Sequence, residues 1–171
     1  MLHKLMTTPT GEIIRTGRGA ALRFEREYAF PPDELWSALT TPERVGRWLG
    51  ELTVTGDAAR LVLGDTPDET AELRVVACDR PYRIEVVWIF PGAAPTHLLV
   101  TLAPAGPDRT ALVLEHTFPA LEPDHLPGYG CGWQHYVDAL GAHLAGGPRP
   151  EWADYYPALL EPWRAIVPSG G

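Results

Sequence analysis

Two short helix signals stand in tandem between an early strand and a long run of further strands. They read Pro31-Pro32-Asp33-Glu34-Leu35-Trp36 and Thr41-Pro42-Glu43-Arg44-Val45-Gly46-Arg47-Trp48. One amphipathic stretch follows far downstream. Two small helices cannot cover a long sheet, so the late helix must lie across it. A sheet curled around a single helix tends to leave a hollow, and hollows bind small molecules.

The first helix opens on Pro31-Pro32, with Asp33 and Glu34 at the positive end of its dipole. Leu35 and Leu39 fall four apart and Trp36 flanks them, a narrow buried face. In the second helix Thr41 suits the N-cap, Pro42 the first position and Gly50 a stop. Val45, Trp48 and Leu49 share one of its sides.

Strand candidates at 12–15 and 21–28 flank a turn at Thr16-Gly17-Arg18-Gly19. From Glu51 to Phe118 the chain reads as consecutive strands near 51–56, 59–64, 69–78, 82–90, 96–103 and 110–118. Alternation sets Ile84, Val86 and Trp88 on one face, as it does Leu98, Val100 and Leu102. Leu112, Leu114, His116 and Phe118 line up the same way. Short connections make these neighbours antiparallel, a meander.

A Pro-rich connection at 119–127 leads to a last helix from about Gly128 to Leu144. Trp133, Val137, Leu140 and Leu144 form its stripe, extended by Tyr129 and Tyr136, with Gln134, Asp138 and Ala142 opposite. Gly146-Gly147-Pro148 ends it. Residues 1–10 read as a loose tail, 11–146 as one domain, and 147–171 as an extension. The extension, with Trp152, Tyr155, Tyr156 and Trp163, is too aromatic to hang free. It is expected to pack on the domain, where it could seal a cavity, cover an edge or bridge two copies in a homodimer.

A length of 171 residues suits one such domain without metal or disulfide support. The net charge of -8, from 22 acidic and 14 scattered basic residues, repels nucleic acid and anionic lipid surfaces. With 45% hydrophobic residues and a mean hydropathy of -0.10, the chain reads as soluble. It has no apolar run of membrane-spanning length and no signal-peptide pattern at Met1–Pro9, so a cytoplasmic setting is expected. Cys78 and Cys131 have neither metal nor redox spacing and read as reduced thiols. Cys131 does fall near the expected helix start, where a thiolate would be favoured.

The order strand, two small helices, meander, long helix is that of the helix-grip fold. Leu22-Arg23-Phe24-Glu25-Arg26, then Leu35-Trp36-Ser37-Ala38-Leu39-Thr40-Thr41-Pro42-Glu43-Arg44, then Arg47-Trp48-Leu49-Gly50, resemble the SRPBCC superfamily. Within it the chain looks most like the group named after the activator of heat-shock protein 90 ATPase. Thr110, Leu112, Leu114 and His116 match that group's last strand, and Gly132-Trp133 with Leu140 and Leu144 its closing helix. The match covers about 11–145. The resemblance implies an α+β fold, a curved antiparallel sheet of about seven strands gripping the long C-terminal helix around a cavity. Relatives include lipid carriers, hormone receptors, polyketide cyclases and chaperone activators, so no single activity follows.

A cavity of that kind would be walled by Trp48, Val86, Trp88, Leu98, Val100, Leu114, His116, Trp133 and Tyr136. The leading expectation is a binding protein for a small hydrophobic or aromatic molecule. One alternative is a polyketide cyclase/aromatase-like or hydrolase enzyme, with His116 or a Tyr as proton donor. Another is a regulator of a chaperone ATPase acting through its surface. His116, placed inward by alternation, needs a hydrogen-bond partner, while His97 and His135 fall on outward faces. No metal-binding or Gly-x-Ser-x-Gly motif is present, and no metal or cofactor is expected.

Overall fold

The structure, a computed structural model, describes residues 8–120 and 124–169. The expected N-terminal tail and the Pro-rich connection therefore fall partly outside the described residues. In chain order the elements are β1 (Glu12–Thr16), β2 (Gly19–Tyr28), α1 (Pro32–Thr40) and α2 (Pro42–Val45). Then come β3 (Gly50–Thr55), β4 (Ala58–Leu63), β5 (Thr70–Asp79), β6 (Arg83–Ile89), β7 (Thr96–Gly106) and β8 (Arg109–Phe118). The long helix α3 (Leu126–Ala145), a 3-10 turn at Trp152–Asp154 and the short α4 (Leu160–Ala165) complete the chain.

All strands join one antiparallel sheet in the order β1-β2-β8-β7-β6-β5-β4-β3. It has eight strands, one more than the resemblance implied, because β1 adds a hairpin edge to β2. The meander accounts for β3 to β8, and β2 returns to pair with β8 from Ala20↔Phe118 to Tyr28↔Thr110. Period-two alternation buries Leu112, Leu114, His116 and Phe118 on one face of β8 and leaves the opposite residues half-exposed.

Two local expectations change. Thr41 takes the N-cap position of α2, but its hydroxyl caps nothing and lies 3.4 Å from the Ser37 hydroxyl. The helix ends at Gly46 after four residues, not at Gly50. Gly50 instead opens β3, where an added Cβ would sit 2.2 Å from the Val62 carbonyl oxygen.

α3 is buried on both sides, which a one-stripe reading does not foresee. One side meets the sheet, and the Tyr28 hydroxyl donates to the Val137 carbonyl at 3.1 Å. The other is covered by the aromatic extension. Trp163, wholly buried, lies so close to Gly130 that an added Cβ would meet its ring at 2.3 Å. Its indole N–H donates to Gln134 at 3.0 Å. Gln134 is thus buried rather than opposite the core, and it also bonds the Thr8 carbonyl and the Thr10 N–H, each at 3.2 Å. Residues 8–10, read as loose, are pinned there.

His135 departs furthest from its expected outward face, being fully buried. Its Nε2 meets the Pro150 carbonyl at 3.0 Å, and its Nδ1 stands 3.7 Å from Asp65. Burial lowers its pKa and keeps it neutral. Burial disfavours charge at Asp65 too, but the Arg149 guanidinium, bonded to both oxygens at 3.0 and 2.6 Å, holds that carboxyl below its ordinary range. Arg149 also donates to the Trp48 carbonyl at 3.2 Å, tying the chain after α3 to the turn after α2.

Candidate functional site

The inward residues of six strands form three cross-strand rows. Leu114, Val100, Ile84 and Cys78 are successive partners across β8, β7, β6 and β5. Leu98, Val86 and Val75 make the second row. Trp88, Leu73, Ala59 and Val54 make the third, across β6, β5, β4 and β3. Together these rows floor a cavity of about 410 Å³. They run from a buried end at Leu114 and Trp88 to an exposed rim at Cys78 and Val54.

The remaining wall comes from Trp36, Leu39 and Thr40 of α1, Val45 of α2, and Trp48 and Leu49 just after it. α3 contributes Trp133 alone. The sequence reading put the hollow between the sheet and the last helix; it lies mainly between the sheet and the two small helices. The reason is that α3 spends its faces on β2 and on the extension. Trp48 is locked in the wall by its indole N–H, which donates to the Ala38 carbonyl at 2.9 Å.

Seven of the nine expected wall residues line this cavity: Trp48, Val86, Trp88, Leu98, Val100, Leu114 and Trp133. His116 and Tyr136 do not. His116 is enclosed behind the end wall, with Trp88 and Trp133 in edge or tilted contact and Phe118 stacked at 4.5 Å. The Trp133 indole donates to its Nδ1 at 3.0 Å, which leaves the proton on Nε2. Nε2 meets the Thr96 hydroxyl at 2.7 Å, and that hydroxyl donates to the Trp88 carbonyl at 3.1 Å. Both ring nitrogens are satisfied. Burial, with a smaller effect from His97, brings its pKa down to about 3. Tyr136 points its ring toward Trp133, His135 and Trp152, and burial pushes its hydroxyl pKa up.

The sequence reading missed Cys78, Ile84, Leu73 and Val75 as wall residues. A β-bulge between Val75 and Ala77 throws Val76 out to solvent and returns Cys78 to the inner face. The only trace in the sequence is the broken alternation of Val75-Val76-Ala77-Cys78. Cys131 is no thiolate: burial inside α3 pushes its pKa up to about 11.

The wall is apolar except for the Thr40 hydroxyl, which donates to the Trp36 carbonyl at 2.7 Å, and for its mouth, where Asp57, Cys78 and Arg80 are exposed. The indole N–H of Trp88 is buried with no acceptor among the described residues. Among those residues no cluster of His, Cys, Asp or Glu is placed to hold a metal ion, and no helix is long and apolar enough to cross a membrane.

This architecture is shared with solved structures. CalU16 from Micromonospora echinospora is similar at TM-score 0.76 and 28% identity, covering 94% of this chain and 99% of its own. DynU16, described as a putative protein in the dynemicin biosynthetic locus, is similar at TM-score 0.67 and 26% identity. That match covers 77% of this chain and 49% of DynU16, so the chain spans about half of it. A conserved protein of unknown function from Enterococcus faecalis has the same fold at TM-score 0.71 and 16% identity, with 91% of each chain covered. No curated protein is similar enough to match. The sequence profile described as activator of Hsp90 ATPase homolog 1-like protein matches residues 29–145, more than half of the length. With its curved sheet, paired small helices and long closing helix, the chain belongs to that family, within the SRPBCC helix-grip superfamily.

Proposed function

We propose that the protein binds a small hydrophobic or aromatic molecule in the cavity floored by β3 to β8 and roofed by α1 and α2. The observation that carries this is the cavity itself. At about 410 Å³ it falls within the ~300–1,000 Å³ range of small-molecule sites, and its wall is almost wholly apolar. Trp48, Trp88 and Trp133 offer ring faces for an aromatic guest. DynU16's place in a biosynthetic locus supports a product of biosynthesis as the kind of molecule to try first. Two unpaired thiols support a cytoplasmic setting.

The reading is one of binding rather than turnover. His116 is neutral and doubly bonded behind the wall, and Tyr136 lies outside it, so neither group meets a guest to move a proton. A chaperone-regulating role would rest on the family description alone, and a fold does not fix a function.

Native mass spectrometry and thermal shift against lipids, aromatic polyketides and steroids test the proposal. At least one class is expected to bind the wild type. Ile84→Trp, which places a large ring in mid-floor, is expected to abolish that binding while cooperative unfolding is retained. Binding undiminished in Ile84→Trp would place the guest elsewhere and end this reading.

A further inference from the structure

The floor of the cavity runs out toward water, and a cation stands where it ends. Leu114, Val100, Ile84 and Cys78 are successive partners on four adjacent strands. Strands lie about 4.8 Å apart, so this row is about 14 Å long. A guest laid along it has one end against the buried Leu114 and the other at the open mouth beside Cys78. Arg80, in the turn after β5, lines that mouth and is exposed. Nearby Arg83 meets Glu85 at 2.8 Å, whereas Arg80 has no carboxylate partner among the described residues. An arginine so placed lays its apolar stem along the wall and keeps its charged head in water.

We infer that the guest is an amphipathic carboxylic acid, its apolar body in the cavity and its carboxylate left at the mouth on the Arg80 guanidinium. This rests on the proposed binding role and narrows it. The wall decides where the charge sits. Its ionisable members, Asp57, Cys78 and Arg80, stand exposed at the mouth, and a charge carried past them would be buried unpaired. Arg80 decides the sign. Asp57 shares the mouth, but it sits on the tight turn between β3 and β4, where the Val75 N–H donates to its carbonyl at 2.8 Å. Its carboxylate stands one methylene from that fixed backbone, while the Arg80 head swings on a longer stem and can follow the guest. The planar guanidinium also meets a carboxylate through two parallel hydrogen bonds. One arginine balances the single charge of a carboxylate; a phosphate dianion would leave charge facing Asp57.

Titration calorimetry with naphthylbutanoate, its primary amide and the corresponding ammonium tests this, since the three share an apolar body and differ in the charge of the head. The wild type is expected to hold the acid more tightly than the ammonium. The acid-to-amide affinity ratio should fall about two- to fivefold in Arg80→Gln, the worth of one exposed ion pair, and rise in Asp57→Asn. Arg18→Gln makes the same change of net charge outside the cavity wall and should keep the wild-type ratio. An unchanged ratio in Arg80→Gln, an equal fall in Arg18→Gln, or tighter binding of the ammonium would overturn the carboxylate inference and leave the binding role standing. Failure of all three probes, with another class of compound bound in the wider screen, would do the same; failure of every class would overturn both. Salt gives a reading that needs no variant. At about 1 M, where screening shortens to about 3 Å, the wild-type acid-to-amide ratio should fall, and a ratio indifferent to salt would overturn the inference.

Discussion

His116 is wholly buried on the inner face of β8, and burial keeps it neutral. With the Trp133 donor on Nδ1 and the Thr96 hydroxyl on Nε2, it completes a chain of hydrogen bonds from α3 to the β6 backbone. Its folded pKa of about 3 lies below the unfolded value near 6.5, so above pH 6.5 both states are neutral and stability is full. As pH falls below 6.5 the unfolded chain takes a proton that the folded His116 refuses until about pH 3. Stability should therefore drop with falling pH at up to about 1.4 kcal/mol per unit from this group. Urea unfolding at pH 7 and pH 4.5 checks it: His116→Gln should lose about 1–3 kcal/mol at pH 7, yet show a shallower fall toward acid. Identical pH slopes in variant and wild type would contradict the assignment. The two thiols make a second contrast. Cys78 is exposed at the mouth while Cys131 is buried, with its pKa raised to about 11. An aromatic disulfide reagent should titrate one thiol quickly in the native protein and the other only after unfolding.

At the scale of elements, the long helix works as a layer between two others. Trp163, Leu159 and Tyr155 of the extension are as buried as the sheet residues beneath α3, and the Tyr155 hydroxyl bonds Asp138 at 2.7 Å. Fully burying a large apolar side chain contributes about 1.5–3 kcal/mol, so the extension is part of the core. Trp163→Ala should cost about 3–5 kcal/mol in urea unfolding, through lost burial, a cavity and an orphaned Gln134. Gly130→Ala should cost about 1–3 kcal/mol, because the Trp163 ring occupies the space of the new methyl. If Gly130→Ala proved neutral, α4 would not be seated on α3 as described. The burial of His135 and Gln134 belongs here too: their positions on a helix reveal one stripe, but a second layer supplied by distant chain turns the other face inward.

For the molecule as a whole, a guest that binds only the folded state should stabilise it by mass action. At a hundred times Kd the gain is about 2.7 kcal/mol, seen as a rise in melting temperature in wild type and absent in Ile84→Trp. Element order, the antiparallel meander and the part of the cavity floor on β6, β7 and β8 were legible in the sequence. Local chemistry writes them: prolines and acids start the small helices, turn residues space the strands, and period-two alternation chooses the inner face of β6, β7 and β8. Tertiary structure alone decided three things. It put the hollow under α1 and α2, because α3 is filled from both sides by β2 and the extension. It aimed Cys78 inward through a bulge at Val76, which one broken alternation cannot specify. It also set His116 behind the wall and left the Trp88 N–H without a partner among the described residues, since pairing depends on which distant groups arrive within about 3 Å and not on either residue's neighbours in the chain.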